Sequence, residues 1–239
     1  MMYNESSGDV YMKRIIIVGG GASGMFAART IKRYGGKSVD VVLLERQSRI
    51  GKKILATGNG KCNLSNDFLE SNAYNHSIVS HWLEQFSNED CKNAFLDMGM
   101  LTRSDEHRLY PYSEKANTLL DVLINELNTL GVRIICDFEV VDIKARDEFL
   151  VYSRDLRLLH SDYVFLATGG LASISFPQLG YTIANQLGHK ITPLRAGLTP
   201  VYVREDIKSL AGIKVKCKAS YFSSSKILKT LKGEVLFKD

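Results

Sequence analysis

The residues of this chain best suited to chemistry lie near its start, in Gly19-x-Gly21-x-x-Gly24 with Ala28 four residues on. This spacing suits a turn that holds a diphosphate. Gly19 allows a tight passage from strand to helix, Gly21 lets a pyrophosphate come close to the backbone, and Gly24 permits helix and strand to pack closely. The helix that follows offers free N–H groups and a partial positive charge. The intervening Ala22 and Ser23 count among the nucleotide-binding positions. Glu45, 21 residues after Gly24, stands where an acid would accept hydrogen bonds from ribose hydroxyls and repel a 2′-phosphate. The bland alternative is a glycine turn in some other α/β fold, with Glu45 a surface residue.

Further strings carry chemistry of their own. Glu45-Arg46-x-x-x-x-Gly51-Lys52-Lys53 is similar to the glycine-bearing segment that follows the ribose acid in many FAD-binding flavoproteins. Its glycine would turn the chain beside the cofactor, and its lysines would neutralise phosphate or reduced-flavin charge. Read without that likeness, it is a solvated basic loop. Ala167-Thr168-Gly169 closes an apolar run and resembles the second FAD-proximal motif of flavoproteins with two dinucleotide-binding domains. The loop 56–66 is dense in glycine and amide side chains, among them Thr57, Gly58, Gly60 and Asn63, which suit the polar edges of a ligand. Cys62 within it is either a thiol near the reacting group or a small residue that packs the loop. His107 sits in a polar stretch where an exposed imidazole is the simpler reading. No residue is assigned as catalytic, because a bound cofactor would carry the redox step.

These residues need elements to position them. Residues 15–18 form a β-branched run that reads as a buried strand, 25–34 as a helix ended by Gly35-Gly36, and 39–44 as a parallel strand, one βαβ unit of dinucleotide-fold size. Residues 46–66 read as a long loop. Residues 75–99 carry helical spacing, and Ser113 is the expected N-cap of the strongest helix, 114–130, ended by Gly131. Short strand-like runs follow at 132–136, 139–144, 149–153 and 156–160, then a buried strand at 162–167. A short helix is expected at 181–187, capped by Gly188, and the sequence turns β-rich again from 191.

Gly51-Lys52-Lys53-Ile54-Leu55, running into Thr57-Gly58-Asn59-Gly60-Lys61-Cys62-Asn63-Leu64-Ser65-Asn66, resembles the signature of the BaiN-like (YhiN-like) flavoprotein family. Thr168-Gly169-Gly170, Pro177-x-Leu179-Gly180-Tyr181, 184–189, Pro193, Leu198, Pro200 and 233–237 fit the same family, so the likeness spans 12–237. It implies an α/β fold: a Rossmann-type FAD-binding domain with a small β-meander, followed by an inserted β-rich domain. On this reading 1–11 is a disordered extension, 12–190 the FAD-binding domain, and 191–239 the beginning of the insertion. The likeness also implies FAD as cofactor, with Cys62 and Val140 joining the binding positions above and no metal. NAD(P)H is a candidate electron donor, although no second GxGxxG and no redox CxxC are present. Hydride would pass through flavin N5 to or from a small-molecule substrate, or to uridine in ribosomal RNA, giving dihydrouridine. Family chains run on to a glycine-rich segment that covers the flavin, so the chain is expected to be truncated. A non-catalytic remnant that holds nucleotide weakly or not at all is the rival class.

Composition sets the outer bounds. The 239 residues are 45% hydrophobic and 24% charged, ordinary for a globular chain, and no apolar run reaches the roughly 18–20 residues of a membrane helix. The start imitates a signal peptide at 12–28, but three consecutive glycines interrupt its apolar part. Cys62, Cys91, Cys136 and Cys217 are scattered, which argues against zinc and a disulfide scaffold and for free thiols in the cytoplasm. The net charge of +5 is uneven: from His189 on, eleven Lys/Arg face four Asp/Glu. A solvated surface is the plain account of that excess, and a polyanion-facing patch the functional one.

Overall fold

A computed structural model describes residues 12–171, 179–195 and 201–237, with only the backbone of Gly58 and Asn59. Residues 1–11, Pro177, Leu198 and Pro200 lie outside the described residues. The chain divides into two units, Met1–Ile191 and Thr192–Asp239. The first runs β1 (Lys13–Val18), α1 (Ala22–Gly35), β2 (Val39–Leu44), α2 (Lys52–Ala56), β3 (Ser65–Asn66), α3 (Ile78–Gln85), α4 (Asn88–Asp97), β4 (Thr102–Asp105), β5 (Arg108–Pro111), α5 (Ala116–Thr129) and β6 (Arg133–Ile135). It continues through β7 (Val140–Ala145), β8 (Phe149–Ser153), β9 (Leu158–Ser161), β10 (Tyr163–Leu166) and α6 (Leu179–Gln186).

The β-branched runs become a parallel sheet in the order β10-β1-β2-β6. Successive side chains of a strand point to opposite faces, and here both faces are covered. Ile17, Val41 and Leu43 join Met25 of α1 and Leu119, Leu123 and Leu127 of α5 in one core. Ile16, Val18, Val42 and Leu44 join Ile143, Val151 and Ile183 in a second core, beneath the antiparallel meander β7-β8-β9 and α6. Each such side chain removed from water contributes about 1.5–3 kcal/mol. The α/β class, with a Rossmann-type sheet and a meander, is therefore the fold of the first unit. The order reverses beside β1, between β10 and β2, and the carboxyl ends of the strands at such a switch point are where ligands bind in open α/β sheets.

Several local expectations change. Helix α1 starts at Ala22 rather than at 25, because extended Gly21 (φ −83°) is its N-cap and accepts the Met25 N–H at 3.0 Å. The stretch 46–66 is not a featureless loop: it holds α2, a 3-10 turn at Thr57–Gly60 and β3. The helical stretch 75–99 is two helices, split by a capping box. The Ser87 side chain accepts the Asp90 N–H at 3.2 Å, and the Asp90 carboxylate accepts the Ser87 N–H at 2.8 Å. Ser113 is not the N-cap of α5. That place falls to Lys115, while Ser113 Oγ bonds Thr118 Oγ1 at 2.7 Å and Glu114 between them has φ 53°. The polar stretch around His107 is the hairpin β4–β5, with Glu106 and His107 at positive φ in its turn, and β3 completes a small sheet in the order β3-β5-β4.

The second unit holds an antiparallel hairpin, β11 (Lys214–Ser223) and β12 (Lys226–Leu236), with a register shift at Tyr221/Phe222. No helix among the described residues is long and apolar enough to cross a membrane.

Candidate functional site

Two glycine segments meet at the carboxyl ends of β1, β2 and β10. Gly19 donates its N–H to Leu44 C=O at 2.8 Å and has φ 115°, and a β-carbon there would lie 2.4 Å from Ala167 O. A β-carbon on Gly24 would lie 1.9 Å from Gly19 O, so α1 can rest on this turn only through glycine. Gly21 is different: nothing lies within 4 Å of where its β-carbon would sit, and its backbone is in an ordinary region. The second segment is stitched to the first by the Gly51 N–H, which donates to Gly20 O at 2.8 Å. Gly51 has φ 75°, and a β-carbon there would meet Leu120 Cδ1 at 2.2 Å.

Glu45 joins these segments. Its Oε2 accepts the Gly20 N–H and its Oε1 the Gln47 N–H, each at 2.9 Å. Its own N–H donates to Ile135 O, and its carbonyl accepts the Phe138 N–H, both at 2.9 Å. The carboxylate is thus fixed beside the glycine turn and keeps about two of its roughly four acceptor sites for a ligand.

Around this junction lies a cavity of about 570 Å³, within the size range of small-molecule and cofactor sites. Its lining includes Gly19, Gly21, Ala22 and Ser23 of the first glycine segment, Ala167, Thr168 and Gly169 after β10, Glu45, Arg46, Lys52, Lys53, Thr57, Cys62 and Asn63 after β2, and Val140 of β7. Of the described positions expected from sequence, Gly24 and Gly60 do not line it. Gly24 is buried within α1, and Gly58 and Gly60 form the 3-10 turn after α2. His107 stacks on Phe68, with ring centroids 4.5 Å apart, and is not in the wall.

The electrostatics of the cavity favour an anion. The first turn of α1 has no acidic residue and no side-chain cap, and its last turn carries Lys32 and Arg33, so its positive pole faces the glycine turn unopposed. Among the described residues, Arg46, Arg49, Lys52 and Lys53 share the wall with two acids, Glu45 and Glu139. Lys53 Nζ lies 3.2 Å from the β-carbon position of Gly169. The Arg154 guanidinium holds the Glu139 carboxyl below its ordinary value, so it stays ionised. Lys61 of the glycine-rich loop instead pairs with Glu114 at 2.5 Å.

Cys62 is 5% exposed, within the core that includes α1 and α5. Burial pushes its thiol pKa up, against a hydrogen bond with Thr57. Of the two readings of Cys62, the geometry therefore favours the packing residue. Sequence reasoning missed Gly20, Gln47, Phe138, Leu179, Gly180 and Ile183, all in the wall. Gly20 and Gln47 act through backbone N–H groups, and a β-carbon on Gly20 would meet Ile50 Cγ2 at 2.5 Å. Leu179 and Ile183 are the inner face of a helix whose apolar spacing was visible. The helical side of the cavity is apolar, with Phe26 edge-on to both Phe86 and Phe95 at 6.1 Å. Among the described residues no cluster of His, Cys, Asp and Glu could hold a metal ion.

With this geometry in view, comparisons with known proteins become informative. The family model described as "HI0933-like protein Rossmann domain" matches residues 13–237. A 3-dehydro-bile acid delta(4,6)-reductase from Clostridium scindens is 34% identical over 94% of this chain and 56% of the relative. Ribosomal RNA dihydrouridine synthases from Escherichia coli and Haemophilus influenzae are 29% and 30% identical, over 84% and 83% of this chain and 52% and 51% of theirs. The chain spans about half the length of the curated relatives it matches. The solved THI4 of Thermovibrio ammonificans aligns at a TM-score of 0.49 and 17% identity, over 74% of this chain and 63% of that one.

Proposed function

The chain belongs to the HI0933-like Rossmann family, and from that premise we propose that it carries the nucleotide-binding part of an FAD-dependent oxidoreductase. We assign residues 12–190 to the FAD-binding domain and 191–239 to a separate β-rich domain. The observation that carries the reading is the open space at Gly21, facing the uncapped start of α1, with Glu45 fixed beside it.

When bound, FAD supplies hydride transfer at flavin N5. The chain's own residues bind and orient. The N–H groups at 21–24 and the α1 dipole hold the diphosphate, and Arg46, Lys52 and Lys53 lower the cost of its charge. Glu45 accepts the ribose hydroxyls through the acceptor sites that Gly20 and Gln47 leave open, and it disfavours a 2′-phosphate. Thr57, Cys62, Asn63, Val140, Ala167, Thr168 and Gly169 line the remaining wall. A small molecule is the substrate class on this reading, NAD(P)H the electron donor, and the four unpaired thiols favour a cytoplasmic protein. A second reading, reduction of uridine in ribosomal RNA to dihydrouridine, draws support from the two synthases and from the lysine-rich second unit.

The test is FAD titration of the purified chain, followed by flavin fluorescence quenching and by the shifted absorbance of bound flavin. Saturable binding to Gly21-containing protein, with bleaching on addition of NADH or NADPH, is the expected result. Binding without bleaching would mean a nucleotide-holding chain that does not catalyse. No FAD uptake after reconstitution would sink the proposal.

A further inference from the structure

The loop that follows α2 enters the cavity wall through Thr57, Cys62, Asn63 and Leu64. Both of its ends are tied down. Thr57 Oγ1 donates to Ile54 O at 2.7 Å, and the Leu64 N–H donates to Leu109 O of β5 at 2.7 Å. Between them the Cys62 N–H bonds within the loop, to Thr57 O at 3.2 Å. Lys61 reaches out of the loop. Its Nζ meets Glu114 Oε2 at 2.5 Å, and the other oxygen of the same carboxylate takes Arg103 Nη1 of β4 at 2.6 Å. Lys61 Nζ also lies 6.0 Å from the centroid of the Tyr110 ring of β5, with Asp105 of β4 as a second negative charge nearby. One carboxylate thus joins the loop, the β4–β5 hairpin and the segment that leads into α5.

Backbone strain flanks this contact. Cys62, next to Lys61, has φ 59°, and Glu114 has φ 53°. A residue with a side chain adopts this region at a cost, and the conformation persists where surrounding contacts hold it. The turn at 114 would suit glycine better, yet it carries an acid that bridges two cations. We propose that Glu114 is a positioning residue of the cavity: through Lys61 it clasps the loop onto the hairpin and so holds Cys62 and Asn63 in the wall. The side chains of the clasp are partly exposed. Water and salt therefore weaken it, and the loop can open while the sheet stays folded. Opening uncovers Cys62 and widens the route by which a ligand enters and leaves. The clasp is a property of the loop, and its effect on a cofactor alone rests on the flavin reading.

The experiment is labelling of the full, cofactor-free chain with N-ethylmaleimide, with the rate at Cys62 read by peptide mapping against Cys217 in the same sample. Glu114→Gln and Lys61→Met are each expected to speed Cys62 labelling about three- to fivefold, the upper range for an exposed ion pair. The double variant is expected to match either single one, because all three lose one contact. Rising salt is expected to speed labelling in the native chain and to leave the variants nearly unchanged. Glu114→Gly removes the carboxylate and relieves the turn. It is expected to label as fast as Glu114→Gln while its urea midpoint stays at or above that of Glu114→Gln, a divergence that a merely stabilising role would not give. Unchanged labelling in the single variants, additive effects in the double variant, or labelling that follows the urea midpoint across the set would each overturn the proposal. On FAD-loaded protein, Glu114→Gln is expected to release the cofactor about threefold faster than the native chain, and equal release would also overturn it. A native chain that takes up no FAD would sink the flavin reading, and the labelling arms would still decide the clasp.

Discussion

Replacing Gly21 with alanine separates the two jobs that the first glycine motif performs. Gly21 has φ −83° and ψ −174°, which an L-residue adopts freely, and no atom lies within 4 Å of the new β-carbon. Folding should hardly notice. The loss of unfolded-chain freedom favours alanine by about 0.4–1 kcal/mol, and alanine's poorer N-cap propensity returns a similar amount. The net change expected is within about 0.5 kcal/mol. Ligand binding is another matter, because the methyl occupies the space through which a diphosphate reaches the backbone N–H groups. One lost hydrogen bond to a charged group costs about 1.5–3 kcal/mol, which weakens Kd roughly 10- to 150-fold. Gly24→Ala is the counter-perturbation. Its β-carbon would lie 1.9 Å from a backbone oxygen that cannot move alone, so a loss of about 2 kcal/mol or more of stability is expected. Urea unfolding of the ligand-free proteins and FAD titration of each measure the two quantities. If Gly21→Ala unfolds like Gly24→Ala, or binds FAD like the native chain, the assignment of that space to a diphosphate is wrong.

Two further outcomes follow from the ion pairs and the thiols. Burial raises the Asp40 carboxyl pKa, but hydrogen bonds and charge from Arg14 and Arg133 outweigh it and hold the group below its ordinary 3.8. A pKa lowered by folding gives stability that is present above the ordinary value and lost as pH falls through the folded one. Asp40→Asn should therefore cost about 1 kcal/mol at pH 7, and its difference from the native chain should vanish in acid; urea midpoints across pH measure this, and a constant difference would contradict it. Cys62 is buried and its thiol is pushed up, so in native protein a thiol reagent should modify the half-buried Cys217 long before Cys62. Peptide mapping of labelled protein gives the order, and equal rates would overturn the packing reading.

How much of this was legible depends on where each residue's information lies. The run 15–18 announced a strand because both sheet faces are covered, so adjacent residues such as Ile16 and Ile17 are both apolar. Helix α2 was hidden: it is five residues long, with Ile54 its one fully buried side chain, and no period can emerge from a single point. The break between α3 and α4 did have a signal, since Ser87-x-x-Asp90 is a capping pattern, but the apolar spacing on either side runs on through it. The hairpin β4–β5 escaped because its turn uses Glu106 and His107 at positive φ where Asn-Gly would be the cue. For the candidate site, glycine spacing and Glu45 were readable because each is required by backbone geometry. That Phe138 and Ile183 share one wall was not, because they reach the cavity from segments distant in the chain.

The way Glu45 is held bears on what kind of site this is. Four backbone links converge on it: to Gly20 and Gln47 through its carboxylate, and to Ile135 and Phe138 through its main chain. Gly51 adds a fifth link, to Gly20, on the same junction. Three of the partners are in loops and one, Ile135, is in β6, an edge strand of the central sheet. The main-chain links tie the backbone of Glu45 to the end of β6, and the two N–H donors at Gly20 and Gln47 fix its carboxylate, so the group is held in place before any ligand arrives. A ligand that hydrogen-bonds this group meets it already oriented, and little ordering cost is charged against affinity. The cationic wall includes the exposed side chains of Arg49 and Lys53. On the flavin reading proposed above, ribose specificity rests on this fixed acceptor and attraction of the diphosphate on the basic wall and the helix dipole, so the two should respond differently to salt: the second weakens as ionic strength rises, and the first far less.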